Sequence, residues 1–170
     1  MQEEEFEEAV MMHKDRVHAY AALMLRDPAE AQDVAQEALF RLWQHRNRVR
    51  ITGVRAWPLR TVRNLCIDRI RKRKVRAEVD AGDEVVAIEA DASPGPERLT
   101  ASGRLGALIE LALAELSPHD RSVVILREVQ GLAYDEIAEI LGLPLGTLKA
   151  RLHRARERLR RRLVRAGVTR

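Results

Sequence analysis

The residues with the most chemistry to offer are cations, and their chemistry is the holding of a polyanion. Near the C-terminal end, Thr147, Lys149, Ala150, Arg151, His153 and Arg154 follow a tight, glycine-containing stretch, Leu143-Pro144-Leu145-Gly146. Helical spacing puts Thr147, Lys149, Ala150, His153 and Arg154 on the open N-terminal part of a helix. From there, side chains reach base edges in a DNA major groove, and Arg and Lys suit guanine O6 and N7. Arg151 and Arg156 are placed for phosphates or neighbouring protein. No arrangement for bond-making stands beside these cations: the sequence carries no phosphate loop, no HExxH and no framed serine or cysteine nucleophile. His13, His18 and His45 lack ligand spacing and read as surface residues. Cys66 is the only cysteine, so neither an internal disulfide nor a cysteine-based metal site can form. No cofactor is expected.

The charge pattern supports a polyanionic partner. Formal net charge is only +4, although 33% of the 170 residues are charged. Residues 55–76 hold nine bases against Asp68 alone, and residues 149–170 hold ten against Glu157 alone. Between them, residues 77–91 hold six acids and no base. Two basic blocks about an acidic stretch fit two separate contacts with a polyanion, and by charge alone fit two solvated helical faces equally well. The acid-rich start (Glu3, Glu4, Glu5, Glu7, Glu8) and the lack of a long apolar run predict a cytoplasmic protein.

The elements that must carry these cations read as helices throughout, giving an all-α class. Phe6, Val10, Val17, Tyr20, Ala21 and Met24 form a first stripe. Asp27-Pro28-Ala29-Glu30 is a helix start, with an acidic N-cap and proline at the first position. The helix that follows turns Ala31, Val34, Ala35, Ala38, Leu39 and Leu42 inward and Asp33, Gln36, Glu37, Arg41 and Gln44 outward. Residues 46–54 lose the period and read as a basic loop carrying Arg48 and Arg50. A third helix is predicted from about Arg55 to Lys74, with Pro58 in its first turn and Trp57 packed in the core. Residues 77–103, acidic and then punctuated by Ser93-Pro94-Gly95-Pro96, are expected to be a flexible linker. It divides two small helical domains, 1–76 and 104–170. In the second, Leu105, Leu108, Ile109, Ala112 and Leu116 form a stripe, and Ser117-Pro118-His119-Asp120 starts another helix that stops near Gly131. A short helix from Tyr134 to Leu141 ends at Gly142. The last helix carries Leu148, Leu152, Ala155, Leu159 and Leu163.

Residues 132–154, LAYDEIAEILGLPLGTLKARLHR, have the form of a helix-turn-helix. Residues 116–163 closely resemble the fourth conserved region of the extracytoplasmic-function (ECF) sigma factors, small members of the sigma-70 family. AEAQDVAQEALFRLW (29–43) and RAWPLRTVRNLCIDRIRKRK (55–74) resemble the second conserved region. Two independent motifs in this order and separation are far more specific than a lone helix-turn-helix.

The resemblance implies a factor that binds RNA polymerase core, places it on promoter DNA and helps open the duplex, without catalysis of its own. It implies that Asp33, Gln36, Glu37 and Arg41 dock on the polymerase, and that residues 46–54 with Asn64 capture a −10 base. Arg63, Arg69, Arg71, Lys72 and Arg73 become phosphate contacts. Thr147, Lys149, Ala150, Arg151, His153 and Arg154 belong to the −35 surface. It further implies an anti-sigma partner and a monomer when free. Pro58 stands where the family usually has leucine, and Ala150 where serine is common. The rival readings are a helix-turn-helix repressor or response regulator, and a small DNA recombinase. The first needs a ligand or receiver domain, which residues 1–76 do not suggest. The second needs a nucleophile, and Tyr134, the only tyrosine beyond residue 100, sits inside the helix-turn-helix.

Overall fold

The computed structural model describes residues 3–50, 53–80 and 101–168. Three helices make the N-terminal half: α1 (Glu3–Leu25), α2 (Pro28–Gln44) and α3 (Ala56–Asp80). Asp27 caps α2, its Oδ1 accepting from the Ala29 and Glu30 amides at 3.0 and 3.1 Å. Ala31, Ala35 and Ala38 line the inner face of α2, and their small size lets α1 and α3 approach it closely. Val17, Tyr20, Ala21 and Met24 of α1 meet them together with Leu59, Val62 and Cys66 of α3. A second, smaller cluster joins Phe6, Leu42, Val49 and Val54, with Trp43 and Trp57 packed on it. Trp57 is thus part of the packing, its ring 5.7 Å from that of His45.

The C-terminal half consists of α4 (Ala101–Ala114), α5 (Pro118–Val124), a π-helical turn (Ile125–Val129), α6 (Tyr134–Leu141) and α7 (Leu145–Arg165). Ser117 caps α5 through its Oγ, 3.2 Å from the Asp120 amide. Gly131 and Gly142 both take positive φ, +66° and +63°, and end the elements before them. The Ala133 amide donates to Glu136 Oε2 at 2.9 Å, which starts α6.

Some boundaries differ from the sequence expectation. α3 runs on to Asp80, because residues 75–80 hold no glycine or proline to stop it. At both ends the segment expected as linker is helical, in α3 up to Asp80 and in α4 from Ala101; residues 81–100 of that linker lie outside the described residues, as do 51 and 52 of the basic loop. Gly146 lies within the first turn of α7 rather than in the turn before it. α4 buries Ala112 and Leu113, and Leu116 beyond its end, but leaves Leu105 and Ile109 on the surface. The expected stripe is therefore half right: Leu105 and Ile109 share a face with Leu113, two turns and one turn earlier, and only the C-terminal part of that face is buried.

The two halves share one core, since the α1–α3 cluster continues without a break into Leu113, Val123, Leu126, Ile137 and Leu148. Polar ties cross the same seam. Tyr20 and Ser122, both fully buried, share a hydrogen bond of 2.7 Å between their hydroxyls. Arg121, 8% exposed, has no carboxylate partner among the described residues and instead donates to main-chain carbonyls. Its Nε bonds Leu113 O (2.9 Å), one terminal nitrogen bonds Met24 O (2.6 Å), and the other bonds Ala114 O and Leu116 O (3.0 and 3.2 Å). One guanidinium thus satisfies the carbonyl ends of α4 and α1 together, where the helix dipoles are negative. Arg16 donates to Gln130 Oε1 (3.1 Å) and also to its carbonyl.

Candidate nucleic-acid interface

α6, the Gly142 turn and α7 form the helix-turn-helix. Ile137, Ile140, Leu148, Leu152 and Ala155 are buried between the two helices and the core. Their burial fixes the rotation of α7, so Thr147, Lys149, Ala150, His153 and Arg154 are all exposed together on its N-terminal half. Arg151 turns the other way: it is half-buried, with Nε 4.0 Å from Asp120 Oδ1. Arg158 reaches the same carboxylate at 3.3 Å, and Arg156 donates to Glu128 Oε1 at 2.6 Å. Arg151 and Arg156 therefore face neighbouring protein, and the cations presented outward are Lys149 and Arg154. The Tyr134 ring lies beside this surface, with the Arg127 guanidinium 4.5 Å and Lys149 Nζ 5.9 Å from its centroid.

The cations of the first basic block divide among three surroundings. Arg48 and Arg50 are exposed on the basic loop, and Arg50 lines a hollow with Glu3, Glu5, Phe6, Arg46, Asn47 and Val49. The Arg46 guanidinium sits over the Trp43 ring, 4.3 Å from its centre, a cation–π contact at this corner. Asn64 does not line this hollow; it is exposed on α3 and accepts from Arg63 at 3.1 Å. Arg63 also donates to His119 Nδ1 at 3.2 Å, and Arg60 to Glu139 O at 3.2 Å, so this face of α3 looks toward α5 and α6. Arg69 and Arg73 turn toward α2: Arg69 lies 3.9 Å from Glu30, and Arg73 pairs with Glu30 and donates to Leu25 O at 3.1 Å. Lys72 pairs with Asp68 at 3.1 Å, while Arg71 stays exposed.

Asp33, Gln36, Glu37 and Arg41 share the outer face of α2. With Phe40, Leu65, Asp68, Arg69 and Lys72 they line a shallow groove between α2 and α3. Glu37 and Arg41 pair along the helix at 2.7 Å. Phe40 is 54% exposed at the centre of this polar face. Sequence reading passed over it because its neighbours in the stripe, Leu39 and Leu42, pack inward.

Burial, then Arg151 and Arg60 nearby, lower the Arg63 pKa. Burial, followed by Arg63, Arg151 and Arg71, lowers that of His119. His13, one turn before Arg16 on α1, is lowered by burial and then by Arg16 and Arg55. Cys66 is buried and its thiol pushed up to about 12, so it is an inert core side chain.

Known proteins give this geometry its meaning. Residues 9–76 match the family described as Sigma-70 region 2, and residues 107–159 match Sigma-70, region 4. SigW of Bacillus subtilis, an ECF RNA polymerase sigma factor, is 34% identical over 93% of this chain and 88% of its own length. The chain belongs to the ECF group of RNA polymerase sigma factors. SigE of Mycolicibacterium smegmatis, another ECF sigma factor, is 34% identical over 91% of this chain, which spans 60% of that longer protein. Among solved structures, the sigma factor RpoE of Bartonella quintana, determined in complex with the anti-sigma factor NepR, superposes with a TM-score of 0.72. It is 26% identical and covers 94% of this chain and 96% of its own. In this sigma factor, region 2 corresponds to α1–α3 and the basic loop. Region 4 spans most of α4 and continues through the greater part of α7. Among the described residues no group of His, Cys, Asp and Glu is arranged to hold a metal, and no helix is long and apolar enough to cross a membrane.

Proposed function

We propose that this sigma factor joins RNA polymerase core through the groove around Asp33, Gln36, Glu37, Phe40 and Arg41, and directs it to promoters through two DNA surfaces. α7 reads the −35 element with Thr147, Lys149, Ala150, His153 and Arg154. Region 2 engages the −10 element with the basic loop (Arg48, Arg50) and with Arg63, Asn64 and Arg71 of α3. Arg69 and Arg73 hold α3 against the start of α2, and Lys72, paired with Asp68 along α3, lines the docking groove. The chain makes and breaks no bond itself; the polymerase core adds nucleotides. It works in the cytoplasm, with the polymerase, and an anti-sigma protein is a fitting partner, as for the Bartonella relative. The observation that carries this reading is the helix-turn-helix with its free outward cations, joined to a second basic helix whose neighbour offers a polar groove.

The described arrangement also sets a condition on its use. Elements centred at −35 and −10 lie about 25 base pairs apart, or about 85 Å along a duplex. α3 and α6 touch here through Arg60 and Glu139, so occupying both elements at once requires the halves to part. Region 2 and region 4 then act as two bodies on one chain.

The docking assignment is tested by Asp33→Arg together with Glu37→Arg. Helix content stays unchanged, because both side chains are exposed. Co-elution with polymerase core should be lost. Core affinity equal to that of the unaltered chain would remove the groove from the account.

A further inference from the structure

The face that α3 turns toward region 4 gathers more positive charge than the protein around it neutralises. Arg60, Arg63, Ile67 and Arg71 recur at helical spacing on that face. Arg63 donates to Asn64 and His119, neither of them an anion, and its Nε is shielded from solvent and donates to nothing. Arg71 has no carboxylate partner among the described residues. From the opposite half, Arg151 brings its guanidinium to the same place, where its nearest carboxylate, on Asp120, lies 4.0 Å away and also serves Arg158 at 3.3 Å. His119 sits in the middle, with its Nδ1 taken by Arg63. Arg63, Arg71 and Arg151 all lie near enough to His119 to disfavour its protonation. Like charges drawn together at a half-shielded surface repel, and an anion placed among them repays that cost.

We propose that Arg63 and Arg71 of α3, Arg151 of α7 and His119 of α5 together form a binding site for a compact phosphate polyanion. The ligand is a pyrophosphate or triphosphate group, either free or carried on a nucleotide. Guanidinium forks match phosphate oxygens in pairs, and the unused Arg63 Nε and the free Arg71 are donors in waiting. The two walls come from different halves of the chain, so the site is complete only while the halves are in contact. A duplex engaged at both promoter elements separates those walls, so the ligand suited to the closed site is short. By linkage, such a ligand favours the closed form and weakens promoter binding to the same extent that promoter binding weakens it. The site goes beyond promoter recognition and is tested on the free chain, without polymerase.

The experiment is a calorimetric titration of the full chain with sodium tripolyphosphate at constant ionic strength. One ion per chain is expected. Arg71→Gln should weaken it about tenfold, as the loss of one charge-assisted bond does, and Arg151→Gln should do likewise from the other half. Arg165→Gln, at the end of α7, removes the same charge and should change affinity by less than about twofold. Circular dichroism on each variant checks its fold; Arg71, exposed and without a carboxylate partner among the described residues, can be altered without disturbing the core. A nucleoside triphosphate titrated in parallel identifies the source. Equal affinity shows that the phosphates are the whole ligand, and tighter binding shows that the nucleotide carries them. Several ions per chain, or equal losses in Arg71→Gln and Arg165→Gln, would reduce the site to diffuse attraction and overturn the proposal. A loss confined to the α3 variant would overturn it too, because the site would then belong to one helix.

Discussion

At the scale of single residues, function depends on which cations are left without protein partners. α7 carries a dense run of arginines, yet Arg151, Arg156, Arg158 and Arg162 each reach a carboxylate outside that helix. Arg154 and Lys149 form no such ion pair among the described residues and are exposed. Arg154→Ala should therefore weaken binding to the best promoter by about 1–3 kcal/mol and relax preference at one base pair. Arg71→Ala should instead weaken all promoter variants alike and lower the salt slope by about one, the mark of a lost phosphate contact. Holoenzyme affinity over single-base promoter variants at several salt concentrations measures both. The sequence made the exposed face of α7 legible because helical spacing and the apolar stripe fix the rotation of that helix. It did not reveal Arg121. An arginine among charged neighbours reads as a surface residue, and only folding brings carbonyls from 5 to 97 residues away around its guanidinium.

At the scale of elements, helix starts were the most legible features and helix faces the least. Asp27 and Ser117 cap as their side chains dictate, and Gly142 ends α6 in a left-handed conformation. Alanine at Gly142 adopts φ near +63° only with strain, although nothing crowds its Cβ. Gly142→Ala should therefore cost about 1 kcal/mol of stability, measured by denaturant unfolding, with no loss of buried contacts. An unchanged midpoint would mean that the turn between α6 and α7 adapts. The burial of α4 was misjudged because Leu105, Ile109 and Leu113 share one face and one apolar character, yet only Leu113 is covered. The choice among them is made by α1 and α7, which lie far away in sequence. The same holds for α3, whose basic residues divide between α2, solvent and region 4 according to packing that composition cannot express.

At the scale of the whole molecule, the seam between the halves was the least legible feature, because its ties join residues about a hundred positions apart. Region 2 and region 4 were each readable from their own motifs, but nothing local marks Tyr20 and Ser122 as partners. The seam also makes the closed form sensitive to protons. Burial and adjacent arginines hold His13 and His119 below their ordinary 6.5 in the folded chain. The unfolded chain binds more protons in the window just below that value, so stability is fully present above it and is lost as the pH falls through it. Tm should be flat from about pH 8 down to about 6.5 and decline below, and His13→Asn with His119→Asn should flatten the decline. A Tm that rises on acidification would contradict the seam electrostatics.

The most direct test of the central claim is run-off transcription by polymerase core on a library of randomised duplexes, with and without this chain. Transcripts should require the chain and start downstream of two shared sequence boxes at fixed separation, with the upstream box altered by Arg154→Ala. Transcripts that appear equally without the chain, or that share no sequence upstream, would contradict that claim.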